Sequence, residues 1–311
     1  MNFCTLFDSN YFLKGVSLYF SLREHCSSFH LYIFTFDDLS YTLLQEMALD
    51  HVTLIPLHSL ENSDILRAKS NRNHKEYCWT CSPAIIRYVF SNFEVPSCVY
   101  LDADLFFFKS PESLLQDLWD SDSSVFITPS NFEGDKEKYG KYCVQFMPFK
   151  NNEEGNKVLD KWYYSCLDWC YDKVENDRFG DQKYLNTWIQ EFDSVSEIDT
   201  PLSVSLYYLD KTDEDVIKNL LFFHFNCLDF YEDGYVDCGF YQIPGFILNK
   251  IYVPYFKTFL KIINILKGID TKYEFVGRKV NLPKPERLKL INTMISVKVF
   301  NWFRLSSLMN K

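Results

Sequence analysis

Glycine and proline are scarce in this chain, with 10 and 11 among 311 residues, which excludes collagen-like, low-complexity and linker-type proteins. No uncharged apolar run reaches the roughly 18 residues that a membrane-spanning helix requires. The opening residues Met1-Asn2-Phe3-Cys4-Thr5-Leu6-Phe7-Asp8 lack the basic region and small-residue cleavage site of a secretory signal, so a cytoplasmic location is expected. In a reducing compartment the ten cysteines are expected as free thiols. The Cys78-Trp79-Thr80-Cys81 spacing, and Cys166 and Cys170 one helical turn apart, leave a four-thiolate zinc site as the alternative to plain packing.

Aromatic residues are abundant instead. Phe, Tyr and Trp make up 18% of the chain, which implies a deep core, ring-lined clefts, or both. Charge is divided unevenly: residues 250–311 carry 13 Lys and Arg against 3 Asp and Glu, and the rest carries 19 against 39. The net charge of −10 thus joins an acidic body of −20 to a basic tail of +10.

The first hundred residues alternate strand and helix. Residues 2–8, 29–36, 52–57 and 98–101 read as strands, and 11–22, 39–49 and 83–93 as helices. This order predicts an α/β fold with a mostly parallel, Rossmann-like sheet and helices on both faces, whose ligands bind at the carboxyl ends of the strands. Further on, 111–119 and 153–171 read as helices and 125–128, 143–149 and 221–225 as strands. Residues 246–266 and 286–309 read as helices in which Lys and Arg interrupt Phe, Trp, Ile and Leu.

The sharpest chemical feature is Tyr100-Leu101-Asp102-Ala103-Asp104 at the end of an apolar strand. Side chains two apart on extended backbone share a side, so Asp102 and Asp104 present two carboxylates together. Paired carboxylates repel unless a cation joins them, and oxygen ligands of this kind suit Mg²⁺ or Mn²⁺ shared with substrate phosphates.

With Thr5-Leu6-Phe7-Asp8-Ser9-Asn10-Tyr11, Pro83-Ala84-Ile85-Ile86-Arg87-Tyr88, the Asp102-Ala103-Asp104 triplet, Phe179-Gly180-Asp181-Gln182-Lys183-Tyr184 and Phe223-His224-Phe225 in this order, residues 1–230 resemble the GT-A nucleotide-sugar glycosyltransferases. The chain is similar to the retaining enzymes of family 8 and related bacterial surface-polysaccharide transferases. The resemblance implies a GT-A domain over residues 1–245, a basic helical extension over 246–311, and a metal-dependent, hexosyltransferase-like activity. It implies that Thr5, Asp8, Tyr11, Arg87, Asp102, Ala103 and Asp104 bind the nucleotide sugar, with a UDP-sugar as the expected donor class. It further implies that Asp102, Asp104 and His224 bind Mn²⁺ or Mg²⁺, and that Asp181 and Gln182 are catalytic residues facing the donor sugar.

Two departures stand beside the resemblance. The family's Asn-x-Gly segment is replaced by Val144-Gln145-Phe146, and no glycine follows His224. Asp181 also reads as a helix N-cap, His224 as a core histidine, Lys69 and Arg72 as a solvated polar loop, and Trp162, Tyr163, Trp169 and Tyr171 as core rings. Two rival functions follow: a haloacid-dehalogenase-like phosphohydrolase using the Leu-Asp-x-Asp strand end, and a sugar-nucleotide-binding protein without activity.

In the tail, Lys284, Arg287, Lys289, Lys298, Arg304 and Lys311 alternate with Leu290, Ile291, Met294, Ile295, Phe300, Trp302, Phe303 and Leu308. This pattern predicts contact with an anionic membrane surface through 250–311, where a lipid-linked or glycan acceptor would be met. Nucleic acid is not expected as a partner, because the −20 body would repel a phosphate backbone.

Overall fold

The computed structural model describes residues 1–130, 134–199, 202–203 and 206–308. The chain forms two compact units, each assembled from separate segments: Met1–Asp8, Cys26–Ala103 and Ser110–Pro201 make the first, and Ser9–His25, Asp104–Lys109 and Leu202–Lys311 the second.

The first unit carries an eight-stranded sheet among the described residues. Its spatial order is Val52–Pro56, His30–Thr35, Asn2–Phe7, Ser97–Leu101, Phe146–Lys150, Val125–Pro129 and Tyr142–Cys143, with Val195–Glu197 beside Val125–Pro129. The four strands expected from the first hundred residues pair in parallel, in the register Asn2 to His30, Leu31 to Val52 and Phe3 to Val99. Beyond Ser97–Leu101 the pairing turns antiparallel, with Tyr100 opposite Met147. The strands Asn2–Phe7 and His30–Thr35 are mostly apolar and buried from their second residue onward, the pattern that buried parallel sheets impose.

Several element ends differ from expectation for identifiable reasons. The helix expected from Pro83 begins nine residues earlier, at His74, because Asn73 and Glu76 form a capping box there, and Pro83 sits inside the helix. The helix Glu153–Asp168 stops short of Tyr171, and the segment 143–149 is two strands, Tyr142–Cys143 and Phe146–Lys150. Trp162 is the hub of this unit's core: it stacks on Phe149 at 3° and meets Trp188 edge-on. The rings of this helix are therefore mostly core. Cys81, Cys166 and Cys170 are buried free thiols, and Cys78, Cys81, Cys166 and Cys170 do not form a metal-holding group. Burial pushes the Cys81 and Cys166 thiols far up.

In the second unit the helix Phe12–His25 is buried from Phe12 through Leu22. Leu105–Phe107 pairs antiparallel with Phe222–His224, and Asp229–Phe230, Tyr235–Asp237 and Trp302–Arg304 form a small sheet. The helix Val253–Ile269 buries Tyr255, Phe256, Phe259, Ile262, Ile263 and Leu266, so the first half of the basic tail is core-forming. The second half is not one helix. Lys284–Val297 ends where Lys298 turns left-handed at φ 55°, and Trp302 enters the sheet, stacked on Tyr235. Met309 and Lys311 lie outside the described residues.

Gly155, in the first turn of the Trp162 helix, tests how tightly this scaffold is built. A Cβ there would lie 2.2 Å from the Lys150 carbonyl oxygen, so backbone must move. Gly155→Ala is expected to destabilise the chain by about 1–3 kcal/mol, the usual cost of overpacking, and chemical denaturation of the two proteins measures it.

Candidate active site

The carboxyl end of Ser97–Leu101 is continued by one further ladder bond, in which the Asp102 N–H donates to the Gln145 carbonyl at 3.0 Å. This bond holds Asp102 at the end of the sheet. The Tyr100 hydroxyl donates to Asp102 Oδ1 at 2.9 Å and accepts from Ser82 Oγ at 3.3 Å. Burial, and then the Asp102 charge, push the Tyr100 phenol well above its ordinary value, so it remains a donor.

Asp181 belongs to the same electrostatic group. Gly180 turns the chain at φ +51°, with its Cα side packed on the Trp79 ring, and Trp162 Nε1 donates to the Asp181 carbonyl at 2.9 Å. Burial, with the Asp102 charge second, raises the Asp181 carboxyl to about 7. Asp181 does not cap a helix: the following 3₁₀ turn starts at Lys183, behind Gln182, without a side-chain cap. Gln182 uses its amide N–H to hold the Tyr139 carbonyl at 3.1 Å, which leaves its carbonyl oxygen as an acceptor.

Of the residues expected around the nucleotide, Thr5 is fully buried and its hydroxyl has no hydrogen-bond partner among the described residues. Asp8, at the end of the first strand, is buried and receives His74 Nε2 at 2.9 Å. Ala103 is buried. Arg87 Nε pairs with Asp160 at 2.8 Å and its guanidinium lies over the Tyr163 ring, joining two helices. Lys69 is exposed at the end of the helix Ser63–Lys69, where it pairs with Glu61, whereas Arg72 is buried over the Tyr171 ring and is not part of a solvated loop.

The second unit holds the other expected ligands. Because His224 pairs with Leu105 in the antiparallel ladder, and the Phe225 N–H donates to the Asp104 carbonyl at 2.9 Å, the imidazole is brought beside Asp104. His224 Nε2 lies 3.0 Å from Asp104 Oδ1, and Lys14 Nζ lies 3.6 Å from Oδ2. Burial by itself would raise the Asp104 carboxyl, but the His224 and Lys14 charges outweigh it and hold the group well below the carboxylate range. Tyr11 is partly exposed, with Lys14 Nζ 4.4 Å from its ring centre. Lys14 is the residue that sequence reasoning missed. Its signal was a lone cation within Phe12–Leu22, a stretch otherwise built for burial.

An imidazole nitrogen facing a buried carboxylate oxygen is a donor set suited to a divalent first-row cation. Among the described residues Asp102, Asp104 and His224 each offer one ligand atom of this kind.

The His74–Asp8 contact makes stability depend on pH. The Asp8 hydrogen bond first, and the Cys78 contact second, raise His74 to about 10 against the opposing effect of burial. A raised histidine stabilises fully below its unfolded value near 6.5, and that contribution is lost as pH climbs through about 10. Melting temperature is therefore expected to fall between pH 7 and 10 more steeply for the wild-type chain than for His74→Gln.

No protein-family model matches the chain. Among solved structures it is similar to the galactosyltransferase LgtC in complex with donor and acceptor sugar analogues, at TM-score 0.50 and 14% identity, covering 72% of this chain and 86% of that one. It is also similar to the WbbM bifunctional glycosyltransferase, at TM-score 0.52 and 12% identity, covering 83% of this chain and 49% of that one. These likenesses establish the GT-A fold. Among curated sequences, the uncharacterized protein YfnD of Bacillus subtilis strain 168 is 29% identical over 287 residues, 86% of this chain and 90% of that protein. The uncharacterized protein YfnF of the same strain is 30% identical over 210 residues, 64% of this chain and 69% of YfnF. With that identity over more than two thirds of YfnF, and with a GT-A fold, the chain belongs to the family of YfnF.

Proposed function

We propose that the chain is a metal-dependent glycosyltransferase that moves a hexose from a nucleoside-diphosphate sugar, of UDP type, to a glycan or lipid-linked acceptor. The observation that carries this reading is the buried Asp104 carboxylate held against His224 Nε2, two residues after the strand-end Asp102. Asp102, Asp104 and His224 are the residues that would hold Mn²⁺ or Mg²⁺. Such an ion, when bound, supplies Lewis-acid stabilisation of the charge developing on the diphosphate leaving group.

The remaining roles fall to the chain's own groups. Asp8, Tyr11 and Thr5 serve the nucleoside, with Asp8 oriented by His74. Gln182 offers an uncharged oxygen to sugar hydroxyls. Asp181, with its carboxyl near neutrality, lies beside Asp102 as the acid or carboxylate facing the reacting sugar. No separate general base is needed if transfer proceeds with retention, as in the family 8 enzymes, and a role in surface-polysaccharide or lipopolysaccharide synthesis fits that assignment. In this reading residues 1–245 carry the chemistry and 246–311 form the extension. The phosphohydrolase alternative is not favoured. It needs the second aspartate to exchange protons with substrate, whereas Asp104 is held firmly ionised between His224 and Lys14.

The exposed side of Lys284–Val297 fits an acceptor at a lipid surface. Leu288, Ile291, Ile295 and Val297 are exposed there, followed by Phe300, in the company of Lys284, Lys289 and Lys298. No described helix is long and apolar enough to cross a membrane. At an anionic leaflet each of these cations would contribute about 1 kcal/mol to contact through this face.

Two experiments test these assignments. Incubation with a panel of UDP-sugars and Mn²⁺ is expected to give slow donor hydrolysis that chelation abolishes. Asp102→Ala and Asp104→Ala should each lower it by about 100-fold or more; nucleotide binding without turnover would support the inactive alternative. For the surface, sedimentation with vesicles rich in anionic phospholipid is expected for the wild-type chain and not for Ile291→Glu/Ile295→Glu; equal sedimentation with purely zwitterionic vesicles would contradict the charge argument.

A further inference from the structure

Lys14 is buried within an apolar helix, yet the contacts around its ammonium are loose. The nearest oxygens are the Phe225 carbonyl at 3.4 Å and Asp104 Oδ2 at 3.6 Å, and the third neighbour is the Tyr11 ring face. Both oxygens lie beyond the usual N–H···O range of about 2.7–3.2 Å. An ammonium has three N–H donors, and a buried charge is costly unless paired and hydrogen-bonded. The packing therefore keeps a cation beside Asp104 without giving it well-formed bonds.

Charge arithmetic indicates what that cation is for. A dication with the carboxylates of Asp102 and Asp104 and a neutral His224 sums to zero, which leaves an anionic diphosphate its direct coordination to the dication but no net charge to draw it in. Lys14 makes the sum +1. We propose that Lys14 alternates between two partners: it is the counter-ion of Asp104 while no metal is present, and once a dication takes over that carboxylate it turns its N–H donors to the diphosphate oxygens of the donor. This inference rests on the metal–diphosphate reading above and adds to it a residue that binds the leaving group directly.

The two-partner role has a signature that a merely structural lysine lacks, because its two consequences have opposite sign. Removing the charge deletes a competitor for Asp104 and a repulsion toward the dication, so Mn²⁺ alone should bind several-fold more tightly to Lys14→Met and Lys14→Gln. Removing the charge also deletes the diphosphate's contact, so inorganic pyrophosphate should bind at least tenfold more weakly to the same variants at saturating free Mn²⁺. Isothermal titration of the full-length chain reads both quantities.

Pyrophosphate affinity within twofold of wild type, or Mn²⁺ and pyrophosphate affinity weakened together, would overturn the proposal. The wild-type chain gives an independent reading should either variant fail to fold. Reductive methylation of Lys14, followed by mass spectrometry, is expected to quicken with Mn²⁺ alone and to slow when pyrophosphate is added; a labelling rate indifferent to both would also overturn it. Failure of the underlying reading looks different: the wild-type chain itself would then bind no Mn²⁺, or Asp104→Ala would bind it unchanged.

Discussion

The constraint on which the second unit depends is the burial of one ionised carboxylate. Asp104 is buried, where an unpaired charge would cost several kcal/mol and would protonate instead. It remains ionised because each oxygen has its own partner, His224 on one side and Lys14 on the other. Those partners come from segments far apart in sequence, the first helix and the strand Phe222–His224. The burial of this charge accordingly requires the helix, the strand pair and the loop after Ala103 to be in place together. Removing either partner would strand the other charge, which is why such groups are costly to alter even when the pair itself contributes little net stability.

Backbone bonds place the two aspartates as firmly as side chains do. Asp102 follows the strand Ser97–Leu101 and Asp104 precedes Leu105–Phe107, and each extends its ladder by one bond: Asp102 through its N–H to Gln145, and Asp104 through its carbonyl to Phe225. The aromatic pairs around these strands, such as Phe107 with Phe222 and Phe149 with Trp162, leave the ladders little freedom to slip. A slip of one residue would turn His224 to the opposite face and bury an imidazole where Phe223 now packs. The high aromatic content is thus tied to the site, since it sets the register that puts an imidazole next to a carboxylate.

Much of the fold was legible because parallel strands leave a strong mark: runs such as Leu31–Phe36 are apolar on both faces, and amphipathic stretches separate them. The aspartate pair stood out as two acidic residues at the end of an apolar strand, and His224 only through its place after the motifs that carry the resemblance. Other features depend on partners that a linear reading does not show. Pro83 looked like the start of a helix because proline favours first turns, and only the Asn73–Glu76 capping box reveals that the helix begins earlier. Trp302 and Phe303 read as one side of a long basic helix, but the left-handed turn at Lys298 redirects them into a sheet with Tyr235–Asp237. Arg87, matched through its motif to the donor, is drawn to Asp160 on another helix, a contact no spacing within its own segment encodes.

Lys14 shows where such a reading stops and why. On sequence it is one lysine in a helix, and a helix of a soluble protein is expected to carry several. Its meaning lies in the helix around it, which is buried through eleven successive residues with this one cation among them. A lysine in that position cannot be explained by solvation, and its anionic neighbour among the described residues, Asp104, is already shared with His224. If the pair with Asp104 were its whole purpose, a shorter and better-formed contact would be available to a flexible four-carbon chain. The long distances to both oxygens instead describe a group held close to one anion and available to a second. In a site whose carboxylates need a cation, and whose substrate class carries a diphosphate, that arrangement satisfies the local electrostatics both before and after the metal arrives.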